Sequence, residues 1–225
     1  MSDAEADTAS ARRRGLLYGR RKGPKLSAHQ LSLRETLLPS LRFDGALPDG
    51  MLWLEIGFGA GEHLVWQAQR NPDVSLIGAE PYEGGTAKLL AKLVEQPLPN
   101  IRIHEGDARD VLARVPDGRL GRVFLLFPDP WPKTRHHKRR FVQMEMLDEL
   151  ARAMAPGAEF RFASDDAGYL AWTLERLMAH RAFEWTAERA RDWTARTPDW
   201  PQTRYEAKAL HGPPVFLRFV RTARL

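Results

Sequence analysis

Short apolar runs alternate along the chain with stretches in which apolar residues recur every three or four positions. The runs are typical of strands buried on both faces, and the spaced pattern is typical of amphipathic helices. Strands are predicted at residues 51–56, 74–79, 100–104, 123–127, 159–163, 183–186 and 215–220. Helices are predicted at residues 62–70, 83–95, near 108–114 and at 140–155.

Strands that alternate with helices predict an α/β fold with a mostly parallel sheet, covered by helices on both faces. In such sheets, ligands bind beyond the carboxyl ends of the strands. The helix at 140–155 is predicted to face the sheet through Phe141, Met144, Leu147, Leu150 and Met154. Both methionines are therefore expected in the core and not at a cofactor.

The chain divides into an arm and one domain. At 225 residues it is long enough to bury the core of a single α/β domain. Residues 1–25 lack an apolar period and predict a mobile basic arm, which leaves the folded domain at 26–225. The last two predicted strands are separated by a polar insertion that carries Trp193, Trp200, Arg204 and Tyr205.

The positive charge lies in two segments. The formal net charge is +5, yet residues 12–25 hold seven Arg or Lys and no acid, and residues 133–140 hold five more, so the remaining residues carry −7. Basic runs are typical of solvated loops as well as of nucleic-acid contacts. Here both runs have aromatic or proline neighbours, which favours a nucleic-acid partner.

The composition excludes several kinds of site. The absence of cysteine excludes disulfides, thiolate catalysis and cysteine-ligated metals. His136 and His137 have no third ligand at a useful spacing, so no metal is expected. No apolar stretch approaches the length of about 18 residues that a membrane span needs. The polar N-terminus also lacks the apolar segment of a signal peptide, so a cytoplasmic protein without a membrane partner is expected.

A glycine-rich turn joins the first predicted strand to the first helix, in the run Leu54-Glu55-Ile56-Gly57-Phe58-Gly59-Ala60-Gly61. Because glycine lets the backbone approach a ligand closely and adopt positive φ, Gly57 is a candidate cofactor-binding residue. Nicotinamide, flavin and methyl-donor proteins all have such turns. The dinucleotide fingerprint is Gly-x-Gly-x-x-Gly, and Glu62 stands at its third glycine, although the adjacent Gly61 can partly replace that glycine.

Three acids follow or end three successive predicted strands, namely Glu55, Glu80 and Asp107. Glu55 would repel a pyrophosphate but attract the ammonium and sulfonium groups of S-adenosyl-L-methionine (SAM). Glu80 can accept both ribose hydroxyls, as it could in a nicotinamide site, and Asp107 can accept a hydrogen bond from the adenine amine. Glu55 and Glu80 can also be capping or solvated acids, and Asp107 can be a helix N-cap. Together the three acids favour SAM over a nicotinamide cofactor.

The most distinctive run is residues 124–140, where an apolar strand leads into Pro128-Asp129-Pro130-Trp131 and then into five cations. The prolines fix φ and stiffen the turn that presents Asp129. Trp131 is either a stacking face for a base or an ordinary core aromatic. Because this density of cations suits phosphates better than a small anion, the run predicts an active-site edge for a polyanion.

These motifs resemble those of the bacterial tRNA (guanine-N7-)-methyltransferases. The resemblance runs from Tyr18-Gly19-Arg20-Arg21 through the glycine-rich turn and Phe127-Pro128-Asp129-Pro130-Trp131 to Thr203-Arg204-Tyr205-Glu206. It implies a single-domain, class I (Rossmann-like) SAM-dependent methyltransferase with a seven-stranded, mostly parallel sheet whose last pair is antiparallel. The implied reaction transfers the methyl group of SAM to N7 of guanine 46 in the variable loop of tRNA, which gives N7-methylguanosine.

The resemblance also implies roles for residues. The SAM site would include Glu55, Glu80, Asp107 and Asp129, with Asp129 also catalytic. The substrate or the rest of the RNA would be bound by Lys133, Arg135, His136, His137, Lys138, Arg139, Arg140, Asp165, Thr203, Arg204, Tyr205 and Glu206. Two positions depart from the family: Pro81 replaces a frequent histidine, and Asp166 replaces a usual tryptophan. The second departure leaves open whether Asp165 or Asp166 faces the substrate.

Two other classes of function stay open on the residues alone. A non-catalytic RNA-binding protein would keep the sheet and the basic runs, but the intact carboxylates argue against it. A nicotinamide-dependent oxidoreductase would use the glycine-rich turn, but it leaves the basic runs without a purpose. The sequence does not indicate the preferred tRNAs or whether the protein is a monomer or a homodimer.

Overall fold

The computed structural model describes residues 22–208 and 210–223. Of the arm predicted at residues 1–25, only 22–25 fall within these ranges, so its mobility and its boundary stay predictions. The described residues form one mixed sheet with flanking helices, as the alternating pattern predicts.

The strands are β1 (Met51–Ile56), β2 (Val74–Ala79), β3 (Ile101–His104), β4 (Leu120–Leu126), β5 (Met154–Ser164), β6 (Phe183–Trp185) and β7 (Val215–Arg221). The helices are α1 (Ala28–Thr36), α2 (Leu38–Leu41), α3 (Glu62–Arg70), α4 (Glu83–Glu95), α5 (Ala108–Leu112), α6 (Met144–Ala153), α7 (Ala167–Ala179), α8 (Arg191–Thr194) and α9 (Arg204–Lys208). A 3-10 helix spans Thr134–Arg139. The predicted bounds of β1, α3, β2 and α4 are confirmed.

The sheet has the strand order β3-β2-β1-β4-β5-β7-β6. β7 is antiparallel to β5 and β6, and the other pairs are parallel, which confirms the predicted seven-stranded sheet with an antiparallel last pair. From β1 the chain moves outward to β2 and β3 and then returns to β4 on the other side of β1. Such a reversal opens a crevice beyond the carboxyl ends of the strands. These ends are level, because Ile56 lies opposite both Ala79 and Leu125.

Alternate residues of β1 enter two separate apolar layers. Leu52, Leu54 and Ile56 belong to the layer that includes residues of α5, α6 and α7. Trp53 belongs to the layer that includes residues of α3 and α4. The sheet is therefore buried on both faces, and this is why its strands appear in the sequence as nearly continuous apolar runs.

α6 is shorter than the helix predicted at residues 140–155. It begins at Met144, after the 3-10 helix, and Met154 already belongs to β5. Met144 is 40% exposed, so the prediction that it packs in the core is wrong. The apolar spacing continues beyond the helix because Phe141 and Met154, in neighbouring segments, pack on the same core. The buried residues of α6 itself are Leu147, Leu150, Ala151 and Ala153.

No element is predicted before β1, where the structure has α1 and α2. A capping box starts α1: the Ser27 hydroxyl accepts the N–H of Gln30 at 3.2 Å, and the Gln30 side chain accepts the N–H of Ser27 at 3.0 Å. The Ser-x-x-Gln spacing is the sequence signal for this helix start. Leu33 and Leu38 then pack into the apolar layer that includes α4.

Candidate active site

A cavity of about 420 Å³ opens beyond the carboxyl ends of β1 to β4. Its volume lies in the range of small-molecule sites. The four carboxylates predicted to bind SAM all line it, namely Glu55, Glu80, Asp107 and Asp129. Each belongs to the end of a different strand or to the turn that follows it. The parallel register of the strands therefore brings together residues that lie far apart in the chain.

The glycine-rich turn forms one wall of the cavity. Gly57 and Gly59 have positive φ values of 74° and 58°, which side-chain-bearing residues rarely adopt. A Cβ on Gly57 would have no atom within 4 Å, so this position leaves open space at the cavity. A Cβ on Gly59 would lie 3.0 Å from the ring of Tyr205. The turn is thus open at Gly57 and covered by an aromatic ring at Gly59.

Glu80 is held by backbone groups of the same wall. Its Oε2 accepts the N–H of Gly59 at 2.7 Å, and its Oε1 accepts the N–H of Tyr82 at 2.9 Å. Burial raises the pKa of the Glu80 carboxyl; the two backbone N–H groups lower it, and the nearby Asp129 and Glu55 raise it. Each oxygen keeps a further lone pair, so Glu80 can shape the turn and still accept ribose hydroxyls.

Asp107 is the N-cap of α5, which confirms the structural role considered from the sequence. Its Oδ1 accepts the N–H of Arg109 at 3.0 Å, and its Oδ2 accepts the Arg109 guanidinium at 2.8 Å. Asp107 and Arg109 both line the cavity. The adenine contact of Asp107 stays a prediction, and an adenine there would also meet the guanidinium that Asp107 holds.

Asp129 is presented by a strained turn. The two residues that flank its Pro-Asp-Pro unit, Phe127 and Trp131, have φ values of 50° and 46°. Bulky residues rarely adopt this left-handed region, and such strain is concentrated at functional sites. The N–H of Phe127 anchors the turn through a 2.7 Å bond to the carbonyl of Ala163. Desolvation within the cavity wall raises the pKa of the Asp129 carboxyl above that of an ordinary aspartate.

The cationic run follows this turn as the 3-10 helix. Its exposed cations are Lys133, Arg135 and Lys138, and its partly buried residues are His136, His137 and Arg139. The Arg139 guanidinium lies 4.8 Å from the centroid of the Trp131 ring, and both residues line the cavity. Desolvation and the surrounding cations lower the pKa of His136. Trp131 is therefore a wall of the site and not a core aromatic.

Arg140 differs from the rest of the run. It is only 2% exposed, its Nε donates to the carbonyl of Pro130 at 2.9 Å, and one Nη donates to the carbonyl of Gly168 at 3.2 Å. Its guanidinium also lies 4.9 Å from the centroid of the Tyr169 ring. Two of its nitrogen atoms thus donate to backbone carbonyls within the protein, and Arg140 braces the turn that presents Asp129. The RNA contact of Arg140 stays a prediction, which its burial disfavours.

The segment predicted to contact the substrate is divided between two environments. Thr203 and Tyr205 line the cavity. The backbone N–H of Arg204 donates to Glu62 at the start of α3, at 2.9 Å. Glu206 is 6% exposed, and its Oε1 accepts from Arg196, ten residues earlier in the chain, at 2.6 Å. Its Oε2 has no hydrogen-bond partner among the described residues. Of these four residues, two share the cavity with the carboxylates.

The two adjacent aspartates at the end of β5 have separate partners. Asp166 is the N-cap of α7 and accepts the N–H of Tyr169 at 2.7 Å. Asp165 accepts the N–H of His211 at 3.1 Å. Neither aspartate lines the cavity, which does include Pro81 beside Glu80. The aspartate in place of the family's usual tryptophan thus has a structural role, and the substrate contact of Asp165 stays a prediction.

Comparison with known proteins points to one family. A family model described as "Putative methyltransferase" matches residues 49–214. A protein of Rhodospirillum rubrum named tRNA (guanine-N(7)-)-methyltransferase is 48% identical, over 92% of this chain and 88% of the relative. One of Roseobacter denitrificans with the same name is 46% identical, over 91% of this chain and 95% of the relative. The chain belongs to the tRNA (guanine-N(7)-)-methyltransferase family.

Solved structures share the fold of this methyltransferase. An rRNA methylase from Streptococcus thermophilus has a TM-score of 0.53 at 12% identity, over 88% of this chain and 99% of that one. The 16S rRNA methyltransferase KamB has a TM-score of 0.52 at 18% identity, over 92% and 98%. At these identities the likeness concerns the fold alone, and it confirms the predicted class I methyltransferase fold.

The residues of the methyltransferase cavity fit SAM. Glu55 is 3% exposed at the end of β1, where it would face a dinucleotide pyrophosphate with like charge but a methionyl ammonium with opposite charge.

Among residues 22–208 and 210–223, no group of three or more His, Cys, Asp or Glu side chains could hold a metal ion. Within the same ranges no helix has the length and apolar character to cross a membrane.

Four further residues, not predicted from the sequence as part of this site, support it. Arg109 holds Asp107, and Glu62 holds the backbone of Arg204. His63 and Gln67 lie directly behind Glu55 on α3. The sequence signal for the last two is their spacing of four residues, which places both on one face of the helix.

Proposed function

We propose that this protein is a tRNA (guanine(46)-N7)-methyltransferase, which transfers the methyl group of SAM to N7 of guanine 46 in the tRNA variable loop. One observation carries the proposal: Asp129, in the turn that leads into the cationic run, lines the same cavity as Glu55, Glu80 and Asp107. The proposed tRNA contact of the run and the cofactor site would therefore meet at this turn. Membership of the family, at 46% to 49% identity, supports the same activity.

The three strand-end acids and the glycine-rich turn would hold the cofactor. Glu55 would attract the methionyl ammonium, Glu80 would accept the ribose hydroxyls, and Asp107 would accept the adenine amine. Gly57 would let the backbone approach the ligand. Bound there, SAM supplies an electrophilic methyl group.

Guanine N7 has an in-plane lone pair and no proton to lose, so the reaction needs alignment and not a general base. Positioning of this kind can lower a barrier by about 7 to 11 kcal/mol in favourable cases. Asp129 would accept hydrogen bonds from the guanine N1–H and N2 amine and would stabilise the positive charge that develops on the purine. This role needs the ionised carboxylate, and its raised pKa places that ionisation at higher pH than in an ordinary aspartate.

The exposed cations Lys133, Arg135 and Lys138 would contact phosphates and set the register of the tRNA. The guanine must leave its stack in the folded tRNA to reach the cavity, and Trp131 or Tyr205 would replace that stacking. Tyr205 suits this role because it lines the cavity and is 44% exposed. A tRNA substrate also supports the cytoplasm as the place of action.

Incubation of the protein with unmodified tRNA and methyl-labelled SAM, followed by chemical cleavage at N7-methylguanine, tests the proposal. The expected result is cleavage at position 46 of tRNA that was treated with the wild-type protein, and no cleavage at that position in a tRNA that carries adenine there. Asp129→Ala should lower methyl transfer far more than tRNA binding. Transfer of label to another base or to no base would contradict the activity, and failure to bind SAM in a titration would favour a non-catalytic RNA-binding protein.

A further inference from the structure

A buried chain of hydrogen bonds lies behind the cofactor wall. The Oε2 of Glu55 is 2.8 Å from Nδ1 of His63, and Nε2 of His63 is 3.1 Å from the amide nitrogen of Gln67. That nitrogen also donates to the backbone carbonyl of Asp199 at 2.9 Å. Glu55, His63 and Gln67 are 3%, 2% and 1% exposed, so water does not compete for these bonds.

The bonds at the Gln67 end determine which groups donate and which accept along this series of hydrogen bonds. The Gln67 amide nitrogen donates to the Asp199 carbonyl, and the Gln67 oxygen accepts from the side chain of Asn71 at 3.3 Å. With the amide in this orientation, its N–H faces Nε2 of His63, which must accept. His63 therefore carries its proton on Nδ1 and donates it to Glu55.

The imidazole is also fixed by packing. Its centroid lies 4.5 Å from that of Phe124 and 5.6 Å from that of Trp200, with the rings tilted toward edge-to-face geometry. At the far end, the Asp199 carboxylate accepts from Arg161 at 2.7 Å, and Arg161 is 3% exposed on β5. The histidine is thus held by aromatic rings on two sides and by a segment anchored to the sheet.

We propose that His63 is a positioning residue for the methyl donor: by holding one carboxylate oxygen of Glu55, it turns the other toward the methionyl ammonium of SAM. The inference rests on the proposed function only in taking SAM as the ligand. Glu55 sits eight residues before His63, across the glycine-rich turn, so the first turn of α3 backs the end of β1. A preoriented carboxylate binds a cation more tightly than a mobile one because less freedom is lost on binding.

A histidine that only filled the core would affect every ligand through the stability of the fold. A positioning histidine acts through Glu55 and therefore affects only ligands that carry the methionyl ammonium. SAM and 5′-methylthioadenosine separate these cases, since the second keeps the adenosine but lacks the amino-acid part and has a neutral thioether in place of the sulfonium. S-adenosylhomocysteine has the same neutral thioether and keeps the ammonium, so a loss of its affinity in the variants assigns the effect to the ammonium.

Two substitutions of His63 form a matched pair. His63→Phe keeps an aromatic ring between Phe124 and Trp200 but removes the donor. His63→Asn loses the ring but places an amide N–H where Nδ1–H stands in the histidine. Calorimetric titration of both variants with all three ligands is the test, with thermal unfolding to confirm that each is folded.

We expect His63→Phe to weaken SAM binding about tenfold or more and to change 5′-methylthioadenosine binding by less than about twofold. His63→Asn should recover most of the SAM affinity. Glu55→Gln should weaken SAM binding by itself, and the addition of His63→Phe to it should weaken binding little further, because the two residues act in series.

Three results would overturn the positioning role. The first is an unchanged SAM affinity in His63→Phe. The second is an equal loss of affinity for SAM and 5′-methylthioadenosine, and the third is no recovery of SAM affinity in His63→Asn. If His63→Phe does not fold, His63→Leu, which also lacks the donor, replaces it in the same comparison with His63→Asn and Glu55→Gln; coupled losses of SAM affinity support the role and independent losses contradict it. A wild-type protein that binds 5′-methylthioadenosine but no SAM would overturn the proposed function itself.

Discussion

Arg140 donates its Nε to the carbonyl of Pro130, the second proline of the turn that presents Asp129, at 2.9 Å. The last cation of a run that looks like a phosphate-binding surface is thus a structural brace. Its second bond, to the carbonyl of Gly168, joins the turn to the start of α7. The run therefore divides into exposed cations and a buried one, and the two groups are expected to affect different steps.

Arg140→Lys should lower the rate of methyl transfer at least about tenfold while leaving tRNA affinity and its salt dependence near the wild-type values. Lysine keeps the charge but cannot bridge both carbonyls as the guanidinium fork does. The loss of these buried bonds should cost on the order of 1 to 3 kcal/mol of stability. Single-turnover rates and filter-binding affinities at several salt concentrations check this, and a flattened salt dependence would return Arg140 to the RNA surface.

Removal of exposed cations should affect tRNA affinity and its salt dependence, which Arg140→Lys leaves near the wild-type values. Arg135→Ala/Lys138→Ala should weaken tRNA binding and flatten the slope of log affinity against log salt by about 0.7 to 0.9 for each lost phosphate contact. The matched control is Arg70→Ala/Arg181→Ala, which removes two exposed charges that lie before β2 and β6, at the amino ends of the strands. Equal slopes for the two double variants would show that the run is an ordinary solvated surface.

The strand-end acids could be predicted from the sequence because parallel strands present their carboxyl ends at one edge. Apolar runs located the strands, and an acid after each run was then enough to place Glu55, Glu80 and Asp107 together. Asp129 followed from the same logic, since it comes shortly after β4. The seven-stranded fold was implied by the family resemblance, and the apolar pattern agreed with it.

The direction of each side chain could not be predicted in this way. Arg139 and Arg140 are adjacent and chemically identical, yet one lies over Trp131 at the cavity and the other is buried. Their difference arises where the 3-10 helix ends, and no periodicity marks that end. His63 was missed for a related reason, because its partner Glu55 is contacted across a turn and not along one element.

The two glycines of the cofactor turn should respond differently to alanine. Both have positive φ, so each substitution should cost about 1 to 2 kcal/mol of stability from backbone strain. Gly59→Ala should cost more, because its Cβ would meet the Tyr205 ring at 3.0 Å, whereas Gly57→Ala meets open space. Denaturant unfolding measures both costs. Tyr205→Ala should remove the extra cost in the Gly59→Ala background, and an extra cost that persists would place its origin elsewhere.

Glu80 should make the protein less stable as the pH rises. Burial raises its pKa above the ordinary 4.5, so the folded protein keeps this proton to higher pH than the unfolded chain does. Between the two pKa values the folded state binds more protons, and the free energy of unfolding therefore falls as pH increases through that window. The loss is about 1.4 kcal/mol for each pH unit by which the pKa is raised.

Glu80→Gln has no such proton, so the stability of the wild type relative to this variant should decline from pH 4.5 upward and then level off. Urea unfolding across this range tests it, with Glu95→Gln, an exposed acid at the end of α4, as the control. A difference that does not vary with pH would mean that Glu80 ionises alike in both states.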